Sequence, residues 1–152
     1  MWDLFVAAMA WGYGDRPYGP ARVARILAAS GPETVRTNLT GLTGASRQRP
    51  AEAWNALRTT HRTKWLGPAF ATKVAYFAAF SSADPPAVRP LIADANTSWA
   101  MWHLCGIPRS AERRSGYLDY VATAHRWADE NGWRPDEVER AVFEIGKILP
   151  HA

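Results

Sequence analysis

Lys73 is the residue whose type and surroundings most strongly suggest chemistry. From Trp65 to Ala83 it is the only formally charged residue, and its near neighbours include Phe70 and Phe77. Burial and the positive end of a helix dipole both disfavour an ammonium there, near the start of a predicted helix. A lysine that loses its proton is a nucleophile for an electrophilic carbon such as a sugar C1′ or a carbonyl. The alternative is a structural lysine whose ammonium extends to water from the helix end.

Asp94 is the second isolated charge. Between Arg89 and Arg109 it is the only Asp, Glu, Lys or Arg, and it follows the apolar run 91–93. It precedes a predicted helix, so its simplest interpretation is an N-cap. A capping carboxylate is held rigid and ionised by backbone N–H groups, and it can also stabilise positive charge that develops on a substrate. The two roles are compatible, so Lys73 and Asp94 form a candidate pair.

A helical chain must position these two residues. No run of alternating polar and apolar residues is long enough to predict a strand, whereas proline and glycine mark the boundaries of helical segments. The predicted fold class is therefore all-α, a compact helical domain spanning residues 1–152. The last helix is expected to bury Val138, Ala141, Val142 and Ile145. Helices are predicted at 2–10, 20–30, a short stretch after 32, 50–62, 69–80, 94–105, around 117–127 and from 135, with loops at 12–20 and 41–50 and an extended connector at 84–90.

Composition excludes several classes of protein. The single cysteine, Cys105, excludes a disulfide framework and a cysteine-based zinc or iron–sulfur site within one chain. No apolar run approaches the length of a transmembrane helix. The N-terminal apolar run has no preceding basic residue, so a cytoplasmic location is expected rather than secretion. The net charge of +4 permits nucleic-acid binding without requiring it. Arg109, Arg113 and Arg114 are candidates for phosphate contacts, or a solvated charge cluster.

The segment 65–104 resembles the helix-hairpin-helix DNA glycosylases of the 8-oxoguanine type. That family has a hairpin of the form Leu-Pro-Gly-x-Gly-x-Lys, followed about twenty residues later by a catalytic Asp at the start of a helix. Here Leu66-Gly67-Pro68-Ala69-Phe70-Ala71-Thr72-Lys73 occupies the hairpin position within 65–80, and Asp94 follows Lys73 by 21 residues. The helix at 94–105, with Trp99 and His103, also resembles the Asp-led helix of the family. The stretch 67–73 is similar to short bacterial proteins of this type.

The resemblance implies a mechanism and a set of binding residues. A damaged purine would be flipped out of the duplex, and Lys73 would attack C1′ of its deoxyribose to displace the base and leave a Schiff base. Strand cleavage by β-elimination could follow. Asp94 would activate Lys73 and stabilise the oxocarbenium-like charge. The residues expected to contact the base are Phe77, Phe70, Trp99 and His103, and those expected to contact the DNA backbone are Gly67, Pro68, Ala69, Ala71 and Thr72.

The resemblance also implies no metal and no cofactor, apart from a monovalent cation that the hairpin could hold. Two departures keep other functions open. Ala69 and Ala71 occupy the positions of the two hairpin glycines, whose backbone approaches a phosphate closely, and the chain is short for the family. The alternatives are a non-catalytic helix-hairpin-helix module that binds nucleic acid and a component of a bacterial anti-phage defence assembly with a protein partner.

Overall fold

The computed structural model describes residues 1–13, 18–108 and 110–149. Within these ranges the chain forms helices and no strand, which confirms the all-α fold class. A π-helical turn at Ala56–Thr60 continues α4, and an irregular connector at 81–94 separates α5 from α6. The α-helices of these ranges are α1 (Trp2–Tyr13), α2 (Tyr18–Ser30), α3 (Pro32–Ser46), α4 (Pro50–Asn55), α5 (Pro68–Phe80), α6 (Ala95–Cys105), α7 (Arg114–Asn131) and α8 (Pro135–Ile148).

Proline and glycine set many of these boundaries, as the sequence predicts. Helices α3, α4, α5 and α8 each begin with proline, which lacks the N–H that has no helical partner in the first turn. Gly106 and Gly132 follow α6 and α7 with φ of 70° and 69°, a left-handed conformation that favours glycine. The predicted helices from 50, near 69, from 94 and from 135 are therefore confirmed in position.

The predicted loop at 12–20 is helical at both ends. Helix α1 continues to Tyr13, and α2 begins at Tyr18, so Pro20 lies inside the first turn of α2 rather than at its first position. Residues 14–17, at the centre of that predicted loop, lie outside the described residues.

The predicted loop at 41–50 is wrong over its first half, because α3 continues to Ser46. Leu42 and Ser46 are buried, and the Ser46 hydroxyl donates to the Leu42 carbonyl at 2.6 Å. The ring of His61 lies against Gly41, where a Cβ would collide with it. Tertiary packing of this turn outweighs the low helix propensity of its glycines.

Helix α5 lies between α1, α3 and α4, while α6 packs against α8, and α7 packs against α4 and α8. The central position of α5 explains why its sequence has no polar face. Each of the described α-helices contributes to the core, and its large side chains include Phe5, Leu39, Trp54, Val74, Tyr117 and Tyr120.

One predicted member of the buried stripe of α8 is wrong. Val138 and Val142 are buried and Ile145 packs against the core, but Ala141 is exposed. Glu139 is buried instead. Helix α8 therefore turns the face that carries Glu139 toward α6, and this rotation brings a carboxylate into the interior.

Candidate active site

Lys73 lies in the second turn of α5, and its side chain is 5% exposed. Its Nζ donates to the carbonyl oxygen of Ala69, one turn back, at 3.2 Å. The ring centroids of Phe70 and Trp11 lie 5.1 and 5.6 Å from Nζ. The methylene groups run past Gly12 of α1, where an added Cβ would lie 3.1 Å from Lys73 Cδ. The amine is therefore enclosed between α1 and α5 and does not extend into bulk water.

Burial lowers the pKa of Lys73, because the ammonium loses hydration that one carbonyl and two aromatic rings replace only in part. The carboxylates of Asp94 and Glu139 act in the opposite direction and raise it. Desolvation is the larger effect, so the net shift is toward the neutral amine that a nucleophile requires.

Asp94 is the N-cap of α6, as predicted. Its Oδ1 accepts a hydrogen bond from the Thr97 amide at 3.0 Å, and the Thr97 hydroxyl accepts one from the Asp94 amide at 2.8 Å. This reciprocal capping box fixes the carboxyl group, which is partly exposed. No direct hydrogen bond or ion pair joins Asp94 to Lys73, two residues that the structure describes, so their interaction is electrostatic across a gap.

A buried hydrogen bond links the two helices that carry Lys73 and Asp94. The hydroxyl of Thr72 accepts a hydrogen bond from the Ala93 amide at 3.1 Å and donates to the Pro68 carbonyl at 2.8 Å. Thr72 and Ala93 are both fully buried. Because each residue immediately precedes a candidate catalytic residue, this bond fixes the position of α5 relative to the start of α6.

Buried side chains also hold the rest of the 91–93 segment, which comprises Leu91, Ile92 and Ala93. The hydroxyls of Tyr117 and Tyr120 donate to the carbonyls of Leu91 and Ile92 at 3.1 and 3.0 Å. Oε2 of Glu139 accepts a hydrogen bond from the Ile92 amide at 3.1 Å. The segment has no regular secondary structure, so these side chains satisfy backbone groups that would otherwise be buried without partners.

Glu139 is a functional candidate that the sequence analysis missed. It is 8% exposed, and burial raises the pKa of its carboxyl to about 7, although the Ile92 hydrogen bond and Lys73 oppose the rise. The sequence shows only that Glu139 has helical spacing to Val142 and Gly146 and so shares their face, and it does not show that this face is buried. At Gly146 an added Cβ would collide with the backbone of Asn96, which shows how closely α8 packs on the start of α6.

The aromatic residues predicted near Lys73 are brought together with it. Phe70 stacks on Tyr13 with centroids 4.4 Å apart. Phe77, one turn beyond Lys73 and partly buried, meets Trp11 edge-to-face at 5.8 Å. Trp11 is 61% exposed at the end of α1. These rings form one wall around the amine and reach the surface at Trp11.

Trp99 and His103 are placed on α6 and contact each other. Their ring centroids are 4.3 Å apart, and His103 Nδ1 lies 2.9 Å from the Trp99 carbonyl oxygen. His103 is exposed, whereas Trp99 is partly exposed. The structure therefore presents them as a pair on the helix that Asp94 caps.

The residues predicted to contact the DNA backbone differ in exposure. Gly67, Pro68 and Ala69 are partly exposed at the start of α5, whereas Ala71 and Thr72 are buried. In this conformation only the first three can meet a phosphate directly.

The turn that precedes α5 is held from two sides. The side-chain amide of Asn38 donates to the Arg62 carbonyl at 3.0 Å. Trp65 has φ of 67°, and the guanidinium of Arg25 lies 3.4 Å from its ring centroid. Of the arginines considered for phosphate contacts, Arg113 and Arg114 are exposed, and Arg109 lies outside the described residues.

The comparison with known protein families identifies the family of the chain. The family model described as "Putative 8-oxoguanine DNA glycosylase OGG-like protein" matches residues 1–143, and the chain belongs to this family. Membership supports a DNA glycosylase-like role with DNA as the binding partner. No curated protein and no solved structure matches the chain.

Two further observations concern the part of the chain that the structure describes. None of its helices is both long and apolar enough to cross a membrane. Its His, Cys, Asp and Glu side chains form no group of three that could hold a metal ion.

Proposed function

We propose that this protein is a DNA glycosylase with AP lyase activity that removes an oxidised purine of the 8-oxoguanine type. The observation that carries the proposal is the enclosed amine of Lys73, with a lowered pKa, near the fixed carboxylate of Asp94 in a chain of this family. The target nucleotide is flipped out of the duplex, because C1′ of a stacked nucleotide is out of reach of a buried amine.

Lys73 acts as the nucleophile. Its neutral Nζ forms a bond to C1′ while the bond from C1′ to the base nitrogen breaks, and the base leaves with the electron pair and takes up a proton. Opening of the C1′–O4′ bond, with a proton delivered to O4′ and one lost from Nζ, gives the Schiff base. Loss of a C2′ proton then breaks the C3′–O bond and cuts the strand.

Asp94 stabilises the charge that develops at the sugar. Its capping bonds hold the carboxylate in one orientation before substrate arrives, so no reorganisation is needed as the oxocarbenium-like charge forms. The gap between Asp94 and Lys73 supports this role, because a direct ion pair would keep the amine protonated and unreactive.

Aromatic side chains bind the flipped base. Phe77 lies one turn from Lys73 on the same face of α5 and is the best placed to stack on a purine. Phe70 lies beside the same amine, and in this structure its ring stacks on Tyr13. Trp99 and His103 form a second aromatic pair, on the helix that Asp94 caps.

The first turn of α5 binds the DNA backbone. Amides at a helix N-terminus bind phosphate through unpaired N–H groups and the helix dipole. Gly67, Pro68 and Ala69 place this turn at the surface. A monovalent cation, if bound here, would be held by the turn that precedes α5 and would supply positive charge beside the DNA. Ala71 faces the interior, so its methyl group replaces a glycine hydrogen without blocking that surface.

The test is borohydride trapping on duplex DNA that contains one 8-oxoguanine, with an undamaged duplex as control. A Schiff base is reduced to a stable covalent complex, which we expect for the wild type and for Lys64→Gln, a change at an exposed lysine, but not for Lys73→Gln. Circular dichroism verifies that each variant folds. Binding of the damaged duplex without a trapped complex would contradict the proposal and favour a non-catalytic binding module. Neither binding nor trapping, with a co-purifying protein, would favour a component of a defence assembly.

A further inference from the structure

We propose that Glu139 is a positioning residue of this site, which holds the 91–93 segment from the side of α8 and supplies a second negative charge to Lys73. The inference rests on the proposed function only for its effect on catalysis. Its effect on the Lys73 amine is a property of the folded protein and can be measured without DNA.

Glu139 and Tyr120 hold the backbone of Ile92 from two helices. The Glu139 carboxyl accepts a hydrogen bond from the Ile92 amide at 3.1 Å, and the Tyr120 hydroxyl donates one to the Ile92 carbonyl at 3.0 Å. Buried side chains thus fix both the backbone N–H and the backbone C=O of Ile92, which lies two residues before Asp94. With Thr72 holding Ala93, the backbone that leads to the Asp94 cap has contacts from α5, α7 and α8. Loss of the Glu139 contact removes one of these three contacts and leaves the segment held by the other two.

The charge of Glu139 is not needed for its hydrogen bond to Ile92. A neutral glutamine could accept the Ile92 amide equally well, whereas a buried carboxylate costs free energy unless a charge partner offsets it. The charged and titratable groups that act on Glu139 are Lys73 and Tyr76 from α5, Asp94 before α6, Tyr117 and Tyr120 from α7, and Asp136 from α8. Lys73 is the only cation among these described groups. It is therefore the one charged partner that favours the ionised form of Glu139.

Ionisation of Glu139 changes the pKa of the Lys73 amine. The pKa of Glu139 is raised to about 7, so its charge appears as the pH passes neutrality. The ionised carboxylate stabilises the Lys73 ammonium and raises the pKa of the amine. Glu139 therefore limits how far burial lowers the pKa of Lys73 and contributes to the pH at which the nucleophile becomes available.

The first experiment measures Lys73 directly. The chain has three lysines, Lys64, Lys73 and Lys147, so protein labelled with ¹³C-lysine gives a small set of side-chain signals. The Lys73 signal is assigned by its absence in Lys73→Gln, and its shift is followed as the pH is raised. In Glu139→Gln the midpoint moves to lower pH. In Glu144→Gln, which removes an exposed carboxylate from the same helix, it stays at the wild-type value. An unchanged or higher midpoint in Glu139→Gln would overturn the inference.

The second experiment measures trapping rates against pH. Glu139→Gln keeps an acceptor for Ile92, so the acidic limb of its profile shifts to lower pH while the fold is retained. Glu139→Ala removes the anchor as well, and the trapping rate falls by about 10- to 100-fold, as expected when a reacting group is displaced by about 1 Å. If the wild type traps and both variants keep its rate and profile, the inference is wrong. If the wild type does not trap but the Lys73 midpoint still shifts, the proposed function is wrong and the link between Glu139 and Lys73 stands.

Discussion

The hydroxyl of Thr72 accepts a hydrogen bond from the Ala93 amide at 3.1 Å and so joins the residue before Lys73 to the residue before Asp94. Both partners are fully buried, so water cannot replace the bond if either is lost. The relative position of the two candidate catalytic residues depends on this contact between α5 and the 91–93 segment.

Replacement of Thr72 by valine tests this dependence. Thr72→Val keeps the shape of the side chain but leaves the Ala93 amide unpaired, so we expect the free energy of unfolding in urea to fall by about 1–3 kcal/mol and the trapping rate to fall as well. Thr72→Ser, which keeps the hydroxyl, recovers most of the trapping rate. Thr40→Val is the control, because the exposed Thr40 hydroxyl bonds only to the Arg36 carbonyl. Equal losses in the two valine variants would show that the contact has no special role.

Asp94 has a capping role and a proposed catalytic role, and one substitution separates them. Asparagine caps a helix about as well as aspartate, so Asp94→Asn should change the free energy of unfolding by less than about 0.5 kcal/mol. The variant lacks the charge, and its trapping rate should fall by about 10²- to 10³-fold. Asp94→Ala should lose the cap as well, at a cost of about 0.5–2 kcal/mol. If Asp94→Asn kept the wild-type trapping rate, Asp94 would have only a structural role as the helix cap.

Gly146 allows α8 to approach the start of α6. A Cβ at this position would collide with the backbone carbonyl of Asn96, and backbone cannot move aside cheaply. We expect Gly146→Ala to lower the free energy of unfolding by about 1–3 kcal/mol and to slow trapping, because α6 carries Asp94. In Gly44→Ala the new methyl meets no atom within 4 Å, and an alanine within α3 should leave stability unchanged or raise it by up to about 1 kcal/mol. A neutral Gly146→Ala would show that this packing is loose.

The buried carboxyl of Glu139 makes stability depend on pH. Its pKa in the folded protein is about 7, against an ordinary value of 4.5, so the folded state binds more protons than the unfolded state between these values. Wild-type stability should therefore decline as the pH rises from 4.5 to 7, by about 3 kcal/mol for this group. Glu139→Gln lacks the titration, so urea unfolding should give equal stabilities near pH 4.5 and a growing advantage for the variant toward pH 8. A constant difference across this range would rule out the raised pKa.

Local signals in the sequence predicted much of the fold. Pro50 and Pro135 each mark a helix start, and Gly106 marks an end, because their backbone preferences act within one turn. The extension of α3 through Gly41 could not be predicted this way. It depends on the burial of Leu42 and on the ring of His61, which arrives from twenty residues away in the sequence.

In the candidate site, too, some residues are predictable from local sequence and others depend on tertiary packing. Lys73 and Asp94 are visible in the sequence because each is a lone charge among apolar residues, and burial of Lys73 and capping by Asp94 are what the structure shows. Glu139 is hidden, because charged residues surround it in the sequence of α8 and only the rotation of that helix decides which of them is buried. The partners of Thr72 are hidden too, since the sequence gives no direct sign that Ala93 lies beside it.

The central claim is that the Lys73 amine forms the covalent bond to the sugar, and peptide mapping of the borohydride-trapped complex tests it most directly. The chain offers three lysine amines and its N-terminal amine, so mass spectrometry of the digested complex can assign the modified residue uniquely. We predict that the sugar adduct lies on the peptide that contains Lys73. An adduct on Lys64, Lys147 or the amine of Met1, with Lys73 unmodified, would contradict the account.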